Sequence, residues 1–174
     1  DQFMLDVFQG GAGTSTNMNA NEVIANRALE HMGKSKGEYE FCDPHDHVNL
    51  SQSTNDAYPS ALHLAMALSN TRLIESLQNL TAAFQAKGRE FSEIIKMGRT
   101  QLQDAVPMTL GQEFDAWAGS IADEANALER VESVLLEVNM GGTAIGTGLN
   151  APLEYSRKCV AHLAEITGRK IRLA

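Results

Sequence analysis

Cysteine is scarce. The 174 residues hold two, Cys42 and Cys159, far apart and without a C-x-x-C spacing. Neither a disulfide framework nor a thiolate metal site is signalled, and a reducing, cytoplasmic compartment is expected. Basic residues are few as well: 14 Lys and Arg stand against 22 Asp and Glu, for a net charge of -8, and they form no run. A phosphate backbone requires clustered cations, so nucleic acid is not expected as a partner. No apolar run reaches the roughly 18 residues of a membrane span, and no charged-then-apolar leader resembles a signal peptide. No membrane partner is therefore expected. What is present, 43% hydrophobic and 21% charged residues, suffices for one domain with a real core. The chain opens Asp1-Gln2-Phe3 without an initiator Met, so a processed or excised piece is expected.

The stretch Val48 to Pro59 stands out, because short hydroxyl and amide side chains open directly onto an apolar-periodic segment. It reads as the start of a long helix, with Pro59 tolerated in the first turn. One cap is enough for a helix. Here Ser53, Thr54, Asn55 and Asp56 could each cap, so some of these groups are expected to face something other than their own helix. The positive end of a helix with extra side-chain donors is suited to an anion.

A similar arrangement begins at Gln9-Gly10-Gly11-Ala12-Gly13-Thr14-Ser15-Thr16-Asn17, where a glycine-rich turn leads into a helical pattern through Val23, Ile24, Ala28 and Leu29. The Lys of a phosphate loop is missing and Thr-Ser-Thr stands in its place, which disfavours a nucleotide. Glycines permit close backbone approach, and Thr14, Ser15 and Asn17 add neutral donors suited to a carboxylate. A short charged linker, Gly33 to Glu40, follows. In His45-Asp46-His47 two imidazoles flank a carboxylate and would share a face if extended. No further ligand cluster lies nearby, so no metal site is assigned.

Leu62, Met66, Leu73, Leu77, Leu80 and Phe84 predict a packed helix from Ala57 to about Ala86, interrupted at Gly88, with Arg89 to Ile95 as a further helical turn. Lys96 to Thr109 reads as a polar connector. After Pro107, steps of three or four from Leu110 to Val138 predict a helix about 45 Å long. A compact domain of this size has a radius of gyration of only about 16 Å, so that helix should lie in an elongated bundle and pack against other subunits. Asn139 to Asn150 is a glycine-rich loop that follows a helix instead of a strand, which disfavours dinucleotide binding. A last helix, Tyr155 to about Ile166, turns Val160, Leu163 and Ile166 inward, leaves His162 at the surface and closes at Gly168.

The connectors at these helix entrances therefore supply Thr, Ser, Asn and Gln, with no metal cage, no Cys/His pair and no evident Ser-His-Asp arrangement. Neutral donors that hold a carboxylate also stabilise the doubly charged aci-carboxylate formed when a proton leaves the adjacent carbon. Proton abstraction followed by elimination is the reaction class this suggests. A helical oligomerisation module with inert polar loops is the reading from another class.

Four segments in one order, Gly11 to Glu22 (Gly-Ala-Gly-Thr-Ser-Thr-Asn-Met-Asn-Ala-Asn-Glu), Ser51 to Asp56 (Ser-Gln-Ser-Thr-Asn-Asp), Gly98 to Asp104 (Gly-Arg-Thr-Gln-Leu-Gln-Asp) and Gly142 to Asn150, together resemble the aspartase/fumarase superfamily. Ser-Thr-Asn-Asp, where fumarases usually carry Ser-Ser-Asn-Asp, and Ala105 to Phe114 look more like its aspartate ammonia-lyases. Gln101 sits where fumarases and some aspartases have His. The resemblance implies an all-α fold with a long-helix bundle of the fumarase/aspartase type, a homotetramer, and sites built from more than one subunit. It implies a small dicarboxylate substrate, L-aspartate converted to fumarate and ammonia, with no organic cofactor; fumarate hydratase is the alternative. Carried over by position, Thr14, Ser53 and Thr54 would hold the carboxylate next to the carbon losing its proton. Asn55, Thr100 and Gln101 would lie near the amino group.

One departure accompanies the match. The family's base is a Ser in a mobile Gly-Ser-Ser loop, followed by a Lys-x-Asn-Pro element that binds the other carboxylate. Neither a Ser-Ser pair nor Lys-x-Asn-Pro occurs here, so no catalytic base is assigned within the chain. The family's N-terminal leader also looks missing, and residues 1–174 are expected to be one helical region, the N-terminal to central part of a lyase.

Overall fold

Helical periodicity dominates the sequence, and helices dominate the chain. A computed structural model describes residues 2–8 and 11–174, so Gln9 and Gly10 of the first glycine-rich motif lie outside the described residues. The elements are α1 (Thr14–His31), a π-helical turn (Pro44–Val48), α2 (Thr54–Glu90), β1 (Ile95–Thr100), β2 (Gln103–Thr109), α3 (Leu110–Leu135), β3 (Glu137–Val138), α4 (Tyr155–Thr167) and β4 (Arg172–Leu173). Among the described residues no helix is long and apolar enough to cross a membrane. Two compact units form, Asp1–Ala65 with Leu135–Ala174, and Met66–Val134.

In the second unit the end of α2 runs antiparallel to α3. Asn70 donates to the Leu128 carbonyl at 3.0 Å, and farther along α2 Phe84 meets Phe114 and Trp117 with ring centroids 5.8 and 5.9 Å apart. Gly88 does not interrupt α2, which continues to Glu90. A Cβ at Gly88 would collide with Asp115, and one at Gly111 with the Gly88 carbonyl, so these glycines are where the helices come closest. Close packing offsets the roughly 1 kcal/mol that glycine costs in a helix relative to alanine.

The expected helical turn at Arg89 to Ile95 and the polar connector after it resolve differently. Ile95–Thr100 and Gln103–Thr109 pair antiparallel, with Ile95 opposite Thr109 and Thr100 opposite Gln103. Gln101 and Leu102 close the hairpin at φ of 50° and 64°, the left-handed twist that a two-residue turn demands. Pro107 lies within β2, which is tolerated because both strands of a two-stranded sheet are edges. α3 therefore begins at Leu110 and stops at Leu135, and Val138 is buried in β3. The seam expected along α2 is only partly internal. Ala67, Asn70 and Thr81 are buried, whereas Met66, Leu73 and Leu80 keep 40 to 49% of their surface open.

In the first unit α1 buries Asn17, Asn21, Ala25 and Leu29, a stripe at steps of four, while Ile24 faces out. β3 pairs in parallel with β4, and an Arg172–Glu137 ion pair of 2.9 Å reinforces the pairing. α4 buries Val160 and ends at Gly168, but Ile166 lies outside, 80% exposed, because six residues of helix turn it about 120° away from the Val160 face. The His45-Asp46-His47 segment is not extended: the Asp43 carboxylate accepts the His45 and Asp46 N–H groups and starts a π-helical turn. No cluster of metal-ligating side chains occurs among the described residues.

Candidate anion site at two helix starts

The polar run before α2 divides its work. Ser53 Oγ accepts the Asn55 N–H at 3.2 Å, and Asp56 Oδ1 accepts the Ser53 N–H at 2.9 Å, a reciprocal cap built from Ser-x-x-Asp. Thr54 and Asn55 are directed elsewhere. Thr54 Oγ1 accepts from Asn17 Nδ2 at 3.1 Å, and Asn55 Nδ2 donates to the Ala144 carbonyl at 2.8 Å. A hydroxyl that accepts retains its own hydrogen, so Ser53 and Thr54 each keep a donor; Asn55 keeps its amide oxygen.

Helix α2 starts at Thr54, earlier than its apolar pattern, which places Pro59 in the second turn. Proline has no N–H, so the Asn55 carbonyl four residues earlier loses its intrahelical partner. Asn139 Nδ2 supplies one at 3.0 Å. Asn139 Oδ1 in turn accepts from Ser60 Oγ at 3.2 Å.

Buried amides join α1 to this turn. Asn17 and Asn21 donate to Asn49 Oδ1 at 3.3 and 3.0 Å, which places the start of α1 beside the start of α2. Between them lies a cleft of about 470 Å3, walled by Gly11, Gly13, Thr54, Asn55, Tyr58 and Leu62. Gly13 has φ of 87°, and a Cβ there would run into the Tyr58 ring. Helix α1 has no side-chain cap, and Thr14, its first residue, is exposed. Among the described residues no Asp, Glu, Lys or Arg lines the cleft. Two positive helix ends with neutral donors favour a small anion over a cation.

Behind the α2 turn lie Tyr155 and Cys159, in hydrogen-bond contact with each other. Burial pushes both the phenol and the thiol upward, and the nearby Asp56 charge adds to the effect. Both are neutral at pH 7, and Cys159 is no thiolate nucleophile. Thr100 and Gln101 belong to the other unit, where Thr100 ends β1 and Gln101 opens the hairpin turn, both exposed. The structure thus gathers Thr14, Ser53, Thr54 and Asn55 in one unit and places Thr100 and Gln101 in the other. Sequence reasoning gave Asp56 only a capping role and passed over Asn21, Asn49 and Asn139; the available signal was Asn17 and Asn21 one turn apart on a helix, a buried-face spacing.

A family model described as a lyase matches residues 1–173. The chain belongs to this lyase family. Its relatives include aspartate ammonia-lyases from Pseudomonas aeruginosa, 57% identical over all of this chain and 37% of that protein, and from Escherichia coli K12, 57% identical over 97% of this chain and 35% of that protein. Among solved structures, fumarate lyase:delta crystallin from Brucella melitensis superimposes with a TM-score of 0.94 at 56% identity, over 99% of this chain and 38% of that one. Class II fumarase from Schistosoma mansoni follows the same course with a TM-score of 0.84 at 38% identity, over 95% and 35%. The fold is therefore the all-α lyase fold that the sequence motifs implied. The lyase chain spans little more than a third of the length of these relatives.

Proposed function

We propose that the parent protein is an aspartate ammonia-lyase, and that residues 1–174 supply the neutral donors that hold the substrate. The observation that carries this reading is the cleft between the starts of α1 and α2, with Thr54 and Asn55 in its wall. Thr14, Ser53 and Thr54 take the carboxylate beside the carbon that loses its proton. Asn55, whose amide nitrogen is already bonded to Ala144, offers its oxygen to the substrate ammonium, with Thr100 and Gln101 nearby in the assembled homotetramer. A base from outside this stretch removes the proton, and the electron pair moves into the carboxylate to form the aci-carboxylate. As that pair returns, the carbon–nitrogen bond breaks and ammonia leaves fumarate behind. Fixed O–H and N–H donors serve this path because negative charge on the gripped carboxylate is greatest in the intermediate.

Thr54→Val in the full-length enzyme should lower kcat/KM about 100-fold, the usual loss for one donor at a developing oxyanion. The deciding assay follows fumarate by its ultraviolet absorbance, from L-aspartate and separately from L-malate. Fumarate from aspartate alone supports the proposal. Fumarate from malate alone makes the parent a hydratase, the second reading, which the likeness to the Schistosoma mansoni class II fumarase favours. Activity with neither removes both.

A further inference from the structure

Asp56 has no exposed surface, and its carboxylate is held by backbone N–H groups from two distant segments. One oxygen accepts from Ser53, just before α2. The other accepts from Gly141 at 3.2 Å and Thr143 at 2.8 Å, 85 and 87 residues later in the chain. Two bonds run beside this tie: Asn55 to the Ala144 carbonyl, and Asn139 to the Asn55 carbonyl that Pro59 leaves free. The loop itself is strained. Thr143, a β-branched residue, sits at φ of 57°, and its buried Oγ1 has no hydrogen-bond partner among the described residues. A left-handed Thr persists only where its surroundings hold it, and the 2.8 Å bond from its N–H to Asp56 is such a hold.

We propose that Asp56 is a positioning residue for the anion site, whose buried carboxylate locks the Ser53–Asn55 turn to the Gly141–Thr143 loop so that the donors of that turn keep one orientation. The proposal rests on the reading of Ser53, Thr54 and Asn55 given above. Asparagine at 56 would match the shape but not the bonding. Its single oxygen can serve Ser53 or the loop, and its NH2 then faces the N–H groups on the other side. One tie must break, and the turn is freed to tilt.

The test is a double-mutant cycle in the full-length enzyme with Asp56→Asn, Ser53→Ala and both together. Fumarate affinity, kcat and KM for L-aspartate are the readouts, and circular dichroism and sedimentation check fold and assembly. Asp56→Asn should remain folded yet lose about 10- to 100-fold in kcat/KM, as expected for donors displaced by a fraction of an ångström to an ångström. The double variant should lose less than the product of the two single losses, because part of the Asp56→Asn effect passes through the Ser53 hydroxyl that Ser53→Ala removes. Unchanged affinity and turnover in folded Asp56→Asn overturn the proposal, as do losses that simply multiply. If Ser53→Ala alone is without effect, the reading of the anion site fails, and the positioning role falls with it. Where Asp56→Asn does not assemble, Asn139→Ala cuts the neighbouring exposed tie; it should weaken fumarate binding several-fold, and unchanged affinity there overturns the proposal.

Discussion

At the scale of single residues, what counts is which hydrogen-bonding capacity is already used. Thr54 accepts from Asn17 and so has a hydrogen to give; Asn55 gives one amide hydrogen to Ala144, which fixes the side chain and leaves its oxygen to offer. Cys159 and Tyr155 are half-buried, and that partial burial, beside the Asp56 charge, raises the pH at which each ionises. Unfolded, they ionise near their ordinary values of 9.0 and 10.0; folded, they keep their protons to higher pH. The stability that comes from burying the neutral forms is therefore complete below about pH 9 and is lost as pH rises beyond it. Peptide-resolved alkylation of Cys159 against pH should give a native midpoint above 9.0, returning to that value in urea. A native midpoint at or below 9.0 contradicts the assignment.

At the scale of elements, helix ends and helix crossings decide. Pro59 and Asn139 form a pair across 80 residues: one removes a backbone donor and the other replaces it. Asn139→Ala should destabilise by about 0.5–1.5 kcal/mol, the net worth of one hydrogen bond whose carbonyl can turn to water instead. In a Pro59→Ala background the same change should cost less, since the Ala N–H takes that carbonyl; thermal unfolding of the four proteins measures the difference, and equal costs refute the pairing. Gly111→Ala should lower the melting temperature although alanine is the better helix former by about 1 kcal/mol, because the new methyl would run into the Gly88 carbonyl and the Ser92 backbone, which no side-chain rotation can clear. An increase would mean that α2 and α3 can move apart without penalty.

At the scale of the whole molecule, Met66, Leu73 and Leu80 on α2 and Trp117 and Val131 on α3 are exposed to an extent that burial against other helices would relieve. Leu73→Glu with Leu80→Glu in the full-length protein should shift sedimentation toward smaller species and lower activity with it. Unchanged sedimentation would mean that no subunit packs on this face. The 174-residue chain by itself should release no fumarate from L-aspartate, because it lacks the Ser-Ser loop and Lys-x-Asn-Pro element of the family it resembles. Turnover by the purified chain would show that a base lies within it.

The four motifs, in order and spread along nearly the whole chain, were sufficient for the fold class and the lyase family, since both are local patterns written in contiguous residues. The helices were legible for the same reason: a period near 3.6 survives in α2 and α3 whatever surrounds them. Gly88 and the hairpin were not, because a close helix crossing and a strand partner are supplied by residues distant in sequence. The same limit applied to the candidate site. Ser53, Thr54 and Asn55 could be named from their types, but which of their atoms remain available depends on Asn17, Ala144 and Asn139, and the role of Asp56 depends on Gly141 and Thr143. The sequence by itself determined the helical lyase fold and the polar residue types at the helix starts; only the tertiary structure decided which of their donors are spent and which remain, because hydrogen bonds are allotted among groups that meet in space.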